Sequence, residues 1–218
     1  MIELRDVVVA YDTRVILDSV NLNIKDGETL VILGGSGSGK STLLRLIIGL
    51  QRPTSGQIIV DGVDITTLSE EEFNKVRQKM GMVFQYSALF DSMSVGENVA
   101  FGLREHTNLS DDKIQHIVDE RLGWVGLSGY ESYMPNELSG GMKKRVSLAR
   151  AIALDPKLIL YDEPSSGLDP ITSGTISMLI RGMQERLGCT SIVVTHDMQS
   201  AFYVADRIAL LDKGKFIE

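Results

Sequence analysis

The chain is short of the residues that mark several protein classes. Cys189 is its single cysteine, which excludes a disulfide framework and a cysteine-based zinc site and fits a reducing compartment. Basic residues are outnumbered, 22 Lys and Arg against 29 Asp and Glu, for a net charge of −7. A surface that reads nucleic-acid phosphates usually needs the opposite balance, as does electrostatic docking on anionic lipid. No apolar run reaches the roughly 18 residues of a membrane span, and the first residues are acidic where a secretory leader would be basic and then apolar. Low-complexity linkers, internal repeats and long runs of one charge are also missing. What is present is 218 residues, enough to bury roughly 70% of the unfolded surface around one core without a staple. The composition reads as a soluble, globular, cytoplasmic chain and is silent on activity.

Apolar patterning gives the organisation. Strands are expected from Ile2 to Tyr11 and from Val20 to Ile24, where apolar residues alternate with asparagines and Asp26-Gly27 supplies a turn. Leu30–Leu33, Leu158–Tyr161 and Ile192–Thr195 are short and unalternating, as suits strands buried on both faces of a parallel sheet, and each precedes a helix-like stretch. Between Gln85 and Pro156 the pattern turns mostly helical. Ser69 with Glu72 and Ser94 with Glu97 have the spacing of capping boxes, and Ile114–Val125 ends at Gly126, a suitable C′ residue. The expectation is an α/β core formed by 1–85 and 155–218, with a helical lobe, 86–154, inserted into it. The chain stops at Lys215-Phe216-Ile217-Glu218, which reads as the middle of a strand after the Lys213-Gly214 turn.

Gly34-Gly35-Ser36-Gly37-Ser38-Gly39-Lys40-Ser41 matches G-x-x-x-x-G-K-[ST] between a buried strand and the helical stretch Thr42–Ile48. Glycines let backbone N–H groups turn inward around an anion, and the helix start adds partial positive charge. Lys40 can then reach β- and γ-phosphates while the Ser41 hydroxyl ligates Mg²⁺. A flexible Gly/Ser loop with a stray lysine is the bland alternative, and a chance match in such a chain is roughly 1 in 100 from average usage. A second constellation, Leu158–Tyr161 followed by Asp162 and Glu163, is an apolar strand ending in two carboxylates. Neighbours on a strand face opposite ways, so the acids divide their roles. Asp162 suits Mg²⁺, and Glu163 suits a proton from the water that attacks the γ-phosphate. Gln85 and His196 also end apolar runs, and such strand ends gather on the edge where the phosphate loop lies.

These motifs, taken in order with Leu138-Ser139-Gly140-Gly141-Met142, resemble the nucleotide-binding domains of ABC transporters over essentially the whole chain. Met142 stands where the usual signature has Gln. The resemblance implies a P-loop NTPase core, a mainly parallel sheet with an N-terminal antiparallel β-subdomain and the inserted helical lobe. It implies ATP and Mg²⁺ as ligands, with Tyr11 stacking on adenine and Gly34, Gly35, Ser36, Gly37, Ser38, Gly39, Lys40, Ser41 and Thr42 around the phosphates. Ser41, Gln85 and Asp162 then face the metal, Glu163, His196 and Gln85 serve hydrolysis, and Ser166-Gly167-Leu168-Asp169 is the D-loop. Two copies are expected to close head to tail around two ATP molecules, with Ser139, Gly140 and Gly141 of one completing the site of the other. Hydrolysis then drives an integral-membrane permease, which places the chain peripherally on the cytoplasmic face of a bacterial inner membrane.

The stretch Gln85–Val95, with Glu97-Asn98-Val99-Ala100-Phe101 after it, and Leu138–Arg145 are similar to the Mla-type subfamily. That subfamily moves phospholipids between bacterial membranes with an MCE-domain lipid-binding protein, and a small regulatory subunit is a further possible partner. Its members usually carry a longer C-terminal tail than Glu218 allows. Leu89, Phe90 and Met93 are candidates either for the permease contact or for packing inside the lobe. Lys143–Arg145 reads as the solvated face of a helix, and Trp124 and the nine methionines are assigned to packing. Other functions fit less well. ABC machines of DNA maintenance carry long coiled-coil insertions or basic faces, translation-associated ABC proteins need two such domains, and a scaffold without turnover would have lost Lys40, Glu163 or His196. Amino-acid importers and lipoprotein exporters use the same kind of ATPase subunit and remain the alternative.

Overall fold

The computed structural model describes residues 1–217, and Glu218, the end of the expected terminal strand, lies outside the described residues. The antiparallel part starts with β1 (Ile2–Tyr11) and β2 (Arg14–Ile24), followed later by β4 (Ser55–Val60) and the two-residue β5 (Val63–Asp64), in the order β2-β1-β4-β5. β2 begins six residues before the Val20 start read from alternation, because it pairs with β1 all the way to the Tyr11↔Arg14 hairpin end. The left-handed φ of 52° at Ser19 and the register shifts along the pair break the period-2 pattern, which hides the first half of the strand.

The second sheet runs β10-β9-β3-β8-β7-β6. Its strands are β3 (Thr29–Leu33), β6 (Met80–Val83), β7 (Leu158–Asp162), β8 (Thr190–Thr195), β9 (Arg207–Asp212) and β10 (Lys215–Ile217). All neighbours are parallel except β10, which returns antiparallel to β9. Every residue of β7 and β8 is buried, the environment that unalternating apolar runs require. One face of this sheet packs on α1 (Lys40–Ile47) and the antiparallel sheet through Leu30, Ile32, Leu43, Leu44, Leu160 and Ile192. α2 (Glu70–Arg77) adds Phe73 to that core from its Ser69–Glu72 capping box.

On the other face lie α3 (Val95–His106), α4 (Asp111–Trp124), α5 (Gly140–Ala151), α6 (Pro170–Leu187) and α7 (Met198–Val204). α3, α4 and α5 fall between β6 and β7 and bury Val99, Leu103, Val118, Leu122 and Val146 together with Tyr161 of β7. Ser94 and Glu97 form the capping box expected for α3. Asn98, fully buried, donates to the carbonyls of Phe90, Met93 and Ser94 and accepts from Phe90 N–H at 2.8 Å, so it fixes the approach to that helix. Gly126 follows α4 with φ 68°, as a C′ glycine should.

Two packing expectations need correction. Lys143–Arg145 is not a solvated face: Lys144 is buried, and Arg145 reaches the carbonyls of Val125 and Gly126 at 3.1 and 3.2 Å. The methionines do not all pack inside, since Met1, Met178 and Met198 are exposed. Trp124 is half-buried, with the guanidinium of Arg121 4.2 Å and that of Arg186 5.1 Å from its ring centre. Among the described residues no helix is long and apolar enough to cross a membrane.

Candidate nucleotide site

Strand register gathers the site. Leu33 of β3 lies opposite Thr195 of β8, and Val194 lies opposite Asp162 of β7. The next residues, Gly34, His196 and Glu163, therefore leave the sheet at one edge. A Cβ on Gly34 would stand 2.3 Å from the Leu211 carbonyl oxygen and 2.6 Å from Ser38 Oγ, so only glycine fits there. Gly39 has φ +110°, a conformation open essentially to glycine alone. As the N-cap of α1 it offers no side-chain acceptor, and the first turn holds no acid. The helix N–H groups and dipole are thus left to an outside anion. Lys40 is 7% exposed, and its Nζ donates to the carbonyls of Gly34 and Gly35 at 2.7 and 3.0 Å. Ser38 Oγ is buried with no hydrogen-bond partner among the described residues, an orphan donor at the throat of the loop.

The two carboxylates have different partners, set by a turn that the alternation argument did not contain. Asp162 closes β7 and accepts from Ser41 Oγ at 2.9 Å. Burial pushes its pKa up, the Ser41 bond opposes this, and the neighbouring Glu163 charge adds to it. Glu163 leaves the strand with φ 45°, a left-handed backbone for a non-glycine residue. Its N–H donates to the Val194 carbonyl at 2.9 Å. The turn aims one carboxylate oxygen at Lys40 Nζ, 3.5 Å away. The other oxygen accepts from His196 N–H at 3.3 Å and lies 2.9 Å from His196 Nδ1. Lys40, Ser41, Asp162, Glu163 and His196 thus form one connected cluster.

The remaining candidates lie around it. Gln85 follows β6 by two residues, and its Nε2 donates to Ser166 Oγ at 3.4 Å. Among the described residues no hydrogen bond joins it to Ser41 or Asp162. Tyr11 is 55% exposed at the β1–β2 hairpin end, next to the strand whose Ile16 carbonyl and Leu17 side chain line Gly39. Thr42 is half-buried in the first turn of α1. Ser36 and Gly37 are exposed, and a Cβ at Gly35 or Gly37 would meet nothing.

Ser139, Gly140 and Gly141 form a second patch. Ser139 caps α5 by accepting from Met142 N–H at 3.3 Å. A Cβ on Gly141 would lie 2.6 Å from Thr172 Cγ2, which explains the glycine through the close approach of α5 to α6. Asp169 caps α6, accepting from the N–H groups of Ile171 and Thr172 at 3.0 and 3.1 Å. The Thr172 hydroxyl and these N–H groups hold its carboxyl below the usual range. Both caps line a cleft of about 580 Å³, and no hydrogen bond joins them to the Lys40 cluster among the described residues. The contacts of Lys144 with Gln85 and of Ser166 with Gln85 are not read from the sequence, which places Lys144 on a solvated face and Ser166 in the D-loop. Lys144 is one helical turn from the buried Ser147 and Leu148, a spacing that already placed it on an inward face.

A glycine loop feeding an uncapped helix, a buried lysine, a Ser–Asp pair and a glutamate just past the same strand end as that aspartate define a nucleoside-triphosphatase of the P-loop class. Its residues fit ATP: the orphaned Ser38 hydroxyl, the free helix start and Lys40 all await an anion. The family model described as ABC transporter matches residues 17–166, and the chain belongs to that family as its ATP-binding, ATP-hydrolysing cassette. The intermembrane phospholipid transport system ATP-binding protein MlaF of Haemophilus influenzae is 48% identical, covering 100% of this chain and 82% of that protein. MlaF of Escherichia coli K12 is 44% identical, covering 100% and 81%. The methionine import ATP-binding protein MetN of Carboxydothermus hydrogenoformans is 48% identical over 93% of the chain, which spans 60% of that relative. The solved dimeric ATP-binding cassette MJ0796, in a post-hydrolysis state bound to ADP and Pi, superposes with a TM-score of 0.93 at 36% identity, covering 100% of this chain and 97% of that one.

Proposed function

We propose that the chain is the ATPase subunit of a transporter that carries phospholipid between bacterial membranes, working as a pair of copies on a separate membrane permease. The observation that carries the ATPase reading is the contact series Lys40–Glu163–His196 beside Ser41–Asp162. Glu163 is aimed by a cation on one oxygen and a histidine on the other, so its carboxylate is fixed to take a proton from a water attacking the γ-phosphate. Lys40 exchanges two neutral carbonyls for phosphate oxygens and stabilises the charge they develop. His196 keeps Glu163 oriented from a side chain largely open to solvent. Mg²⁺, bound through Ser41 Oγ and Asp162, would neutralise charge on the β- and γ-phosphates. Among the described residues no cluster of three or more His, Cys, Asp or Glu could cage a metal alone.

Within one copy the separate patch of Ser139, Gly140, Gly141 and Asp169 caps α5 and α6 and lets the two helices approach closely. In a head-to-tail pair it would face the partner copy's nucleotide, with Ser139 and the α5 start receiving the γ-phosphate. The dimeric relative supports this reading. In this reading 1–85 and 155–218 form the ATP-binding core and 86–154 the lobe that presents the signature, and of the permease candidates Leu89, Phe90 and Met93, Phe90 is exposed while Leu89 packs against the lobe's core. Phospholipid as cargo follows from the two MlaF relatives, matched over the whole chain and over four-fifths of their own length. With that cargo come an MCE-domain lipid-binding protein, a small regulatory subunit and a place on the inner face of the inner membrane.

A second reading, methionine or other amino-acid import, is favoured by the equal identity to MetN. Purification of the native complex in mild detergent, with mass spectrometry of co-purifying chains and lipids, separates the two. An MCE-domain protein with bound phospholipid supports the first, and an amino-acid permease without lipid supports the second and overturns the first.

A further inference from the structure

Lys144 is a buried charge that the hydrolysis scheme above does not use. It sits in the second turn of α5, is 5% exposed, and donates from its ammonium to the backbone carbonyl of Gln85. An ammonium buried this way loses hydration that one neutral carbonyl does not fully replace. A lysine kept only to fill space would be better served by methionine. Burial lowers the pKa of Lys144, and the charges of Asp162 and Glu163 oppose this. Later in the same helix Arg150 makes a parallel contact, donating to the carbonyls of Ser87 and Ala88 at 2.8 and 2.7 Å. Those two residues are adjacent and left-handed, with φ 64° and 47°, a backbone that L-residues hold only when the surroundings enforce it.

Two cations of one helix therefore grip the carbonyls of a single turn, 85–88. The Gln85 side chain points the other way, to Ser166 Oγ at 3.4 Å. The Ser166 N–H in turn donates to the Glu163 carbonyl at 3.1 Å. A continuous series of contacts runs from α5 through Lys144, Gln85 and Ser166 to the turn that aims Glu163.

We propose that Lys144 is a positioning residue for ATP hydrolysis, tying the helix that starts at Ser139-Gly140-Gly141 to Gln85 and thereby to the Glu163 turn. This rests on the ATPase reading above and adds to it a fixed geometric relation between the glycine patch and the hydrolytic carboxylate within one copy. Arg150 holds the turn in shape, and Lys144 sets its distance from α5. Lys144 touches no reacting atom, so its removal is expected to slow turnover without weakening nucleotide binding.

The test compares Lys144→Met, Lys144→Gln and Lys144→Arg in the full chain. Steady-state hydrolysis is measured against ATP concentration, with thermal melting and hydrogen exchange of 85–90 and 139–143 without nucleotide. Lys144→Met is expected to lose about tenfold to a hundredfold in kcat with the KM for ATP within about twofold, the cost of a misplaced catalytic group. Lys144→Gln, which keeps a donor and removes the charge, is expected to fall between Met and the parent. Lys144→Arg is expected to restore most of the rate. Exchange is expected to accelerate at both segments in Lys144→Met and to recover in Lys144→Arg. Parent-like kcat in Lys144→Met overturns the proposal, as does a loss in all three variants that follows their melting temperatures. If the parent chain hydrolyses ATP no faster than Glu163→Gln, the ATPase reading has failed. Exchange then decides the link between α5 and Gln85, and unchanged exchange overturns it.

Discussion

Gly34 and Gly35 are adjacent in the same loop, and alanine should have opposite effects at the two positions. A Cβ at Gly34 would stand 2.3 Å from the Leu211 carbonyl oxygen and 2.6 Å from Ser38 Oγ. Ordinary contact is about 3.5 Å, so backbone must give by about 1 Å, and overpacking of that kind costs about 1–3 kcal/mol. For a chain of this length each kcal/mol lowers Tm by roughly 2–4 °C. Gly34→Ala should therefore melt about 2–12 °C below the parent. Its shifted loop no longer presents Lys40 and the α1 N–H groups in register, and a displacement of about 1 Å is worth on the order of 10² in rate. At Gly35 an added Cβ meets nothing within 4 Å and the φ is not left-handed. Alanine there removes unfolded-state freedom and should leave Tm equal or raise it by the equivalent of about 0.4–1 kcal/mol. Thermal melting of both variants, followed by ATP titration, decides the matter. Equal melting temperatures, or a more stable Gly34→Ala, would show that Leu211 and Ser38 do not close the space above Gly34.

Two further substitutions probe the carboxylate and the signature patch. Burial raises the pKa of Asp162 in the folded chain. The stability tied to its proton is therefore complete below the unfolded pKa and is lost as pH rises through the folded one. Asp162→Asn should melt higher than the parent at neutral pH without nucleotide, with the gap closing on acidification, while Mg²⁺-dependent hydrolysis is lost. A gap that widens at low pH would reverse the assignment. Ser139→Arg should leave ATP binding to one copy intact, because Ser139 has no hydrogen bond to the Lys40 cluster. It should abolish ATP-dependent pairing in light scattering and with it turnover, and surviving turnover would show that the patch does not complete a partner's site.

The sheet core was legible because both faces of β3, β7 and β8 are covered, so buried runs and motifs coincide. Leu30–Leu33 ends at the phosphate loop, Leu158–Tyr161 at the two acids and Ile192–Thr195 at His196. The capping boxes at Ser69 and Ser94 were legible because both partners lie within three residues of each other. The first half of β2 was not, since the irregularity at Ser19 breaks the alternation. Lys144 was missed because a Lys-Lys-Arg run reads as solvated unless helical spacing assigns one of the three inward. The contact of Gln85 with Ser166, 81 residues away in sequence, and the left-handed turn that aims Glu163 depend on tertiary register, which no local pattern encodes.

We propose that Glu163, aimed by Lys40 and His196, accepts the proton in ATP hydrolysis. The direct measurement is turnover and ATP binding of Glu163→Gln beside the parent chain. The glutamine keeps the shape and a hydrogen-bond acceptor but cannot take the proton. Turnover is expected to fall on the order of 10²–10⁴, the worth of a positioned general base, while ATP still binds and still pairs two copies. Hydrolysis near the parent rate in Glu163→Gln would show that Glu163 is not the general base.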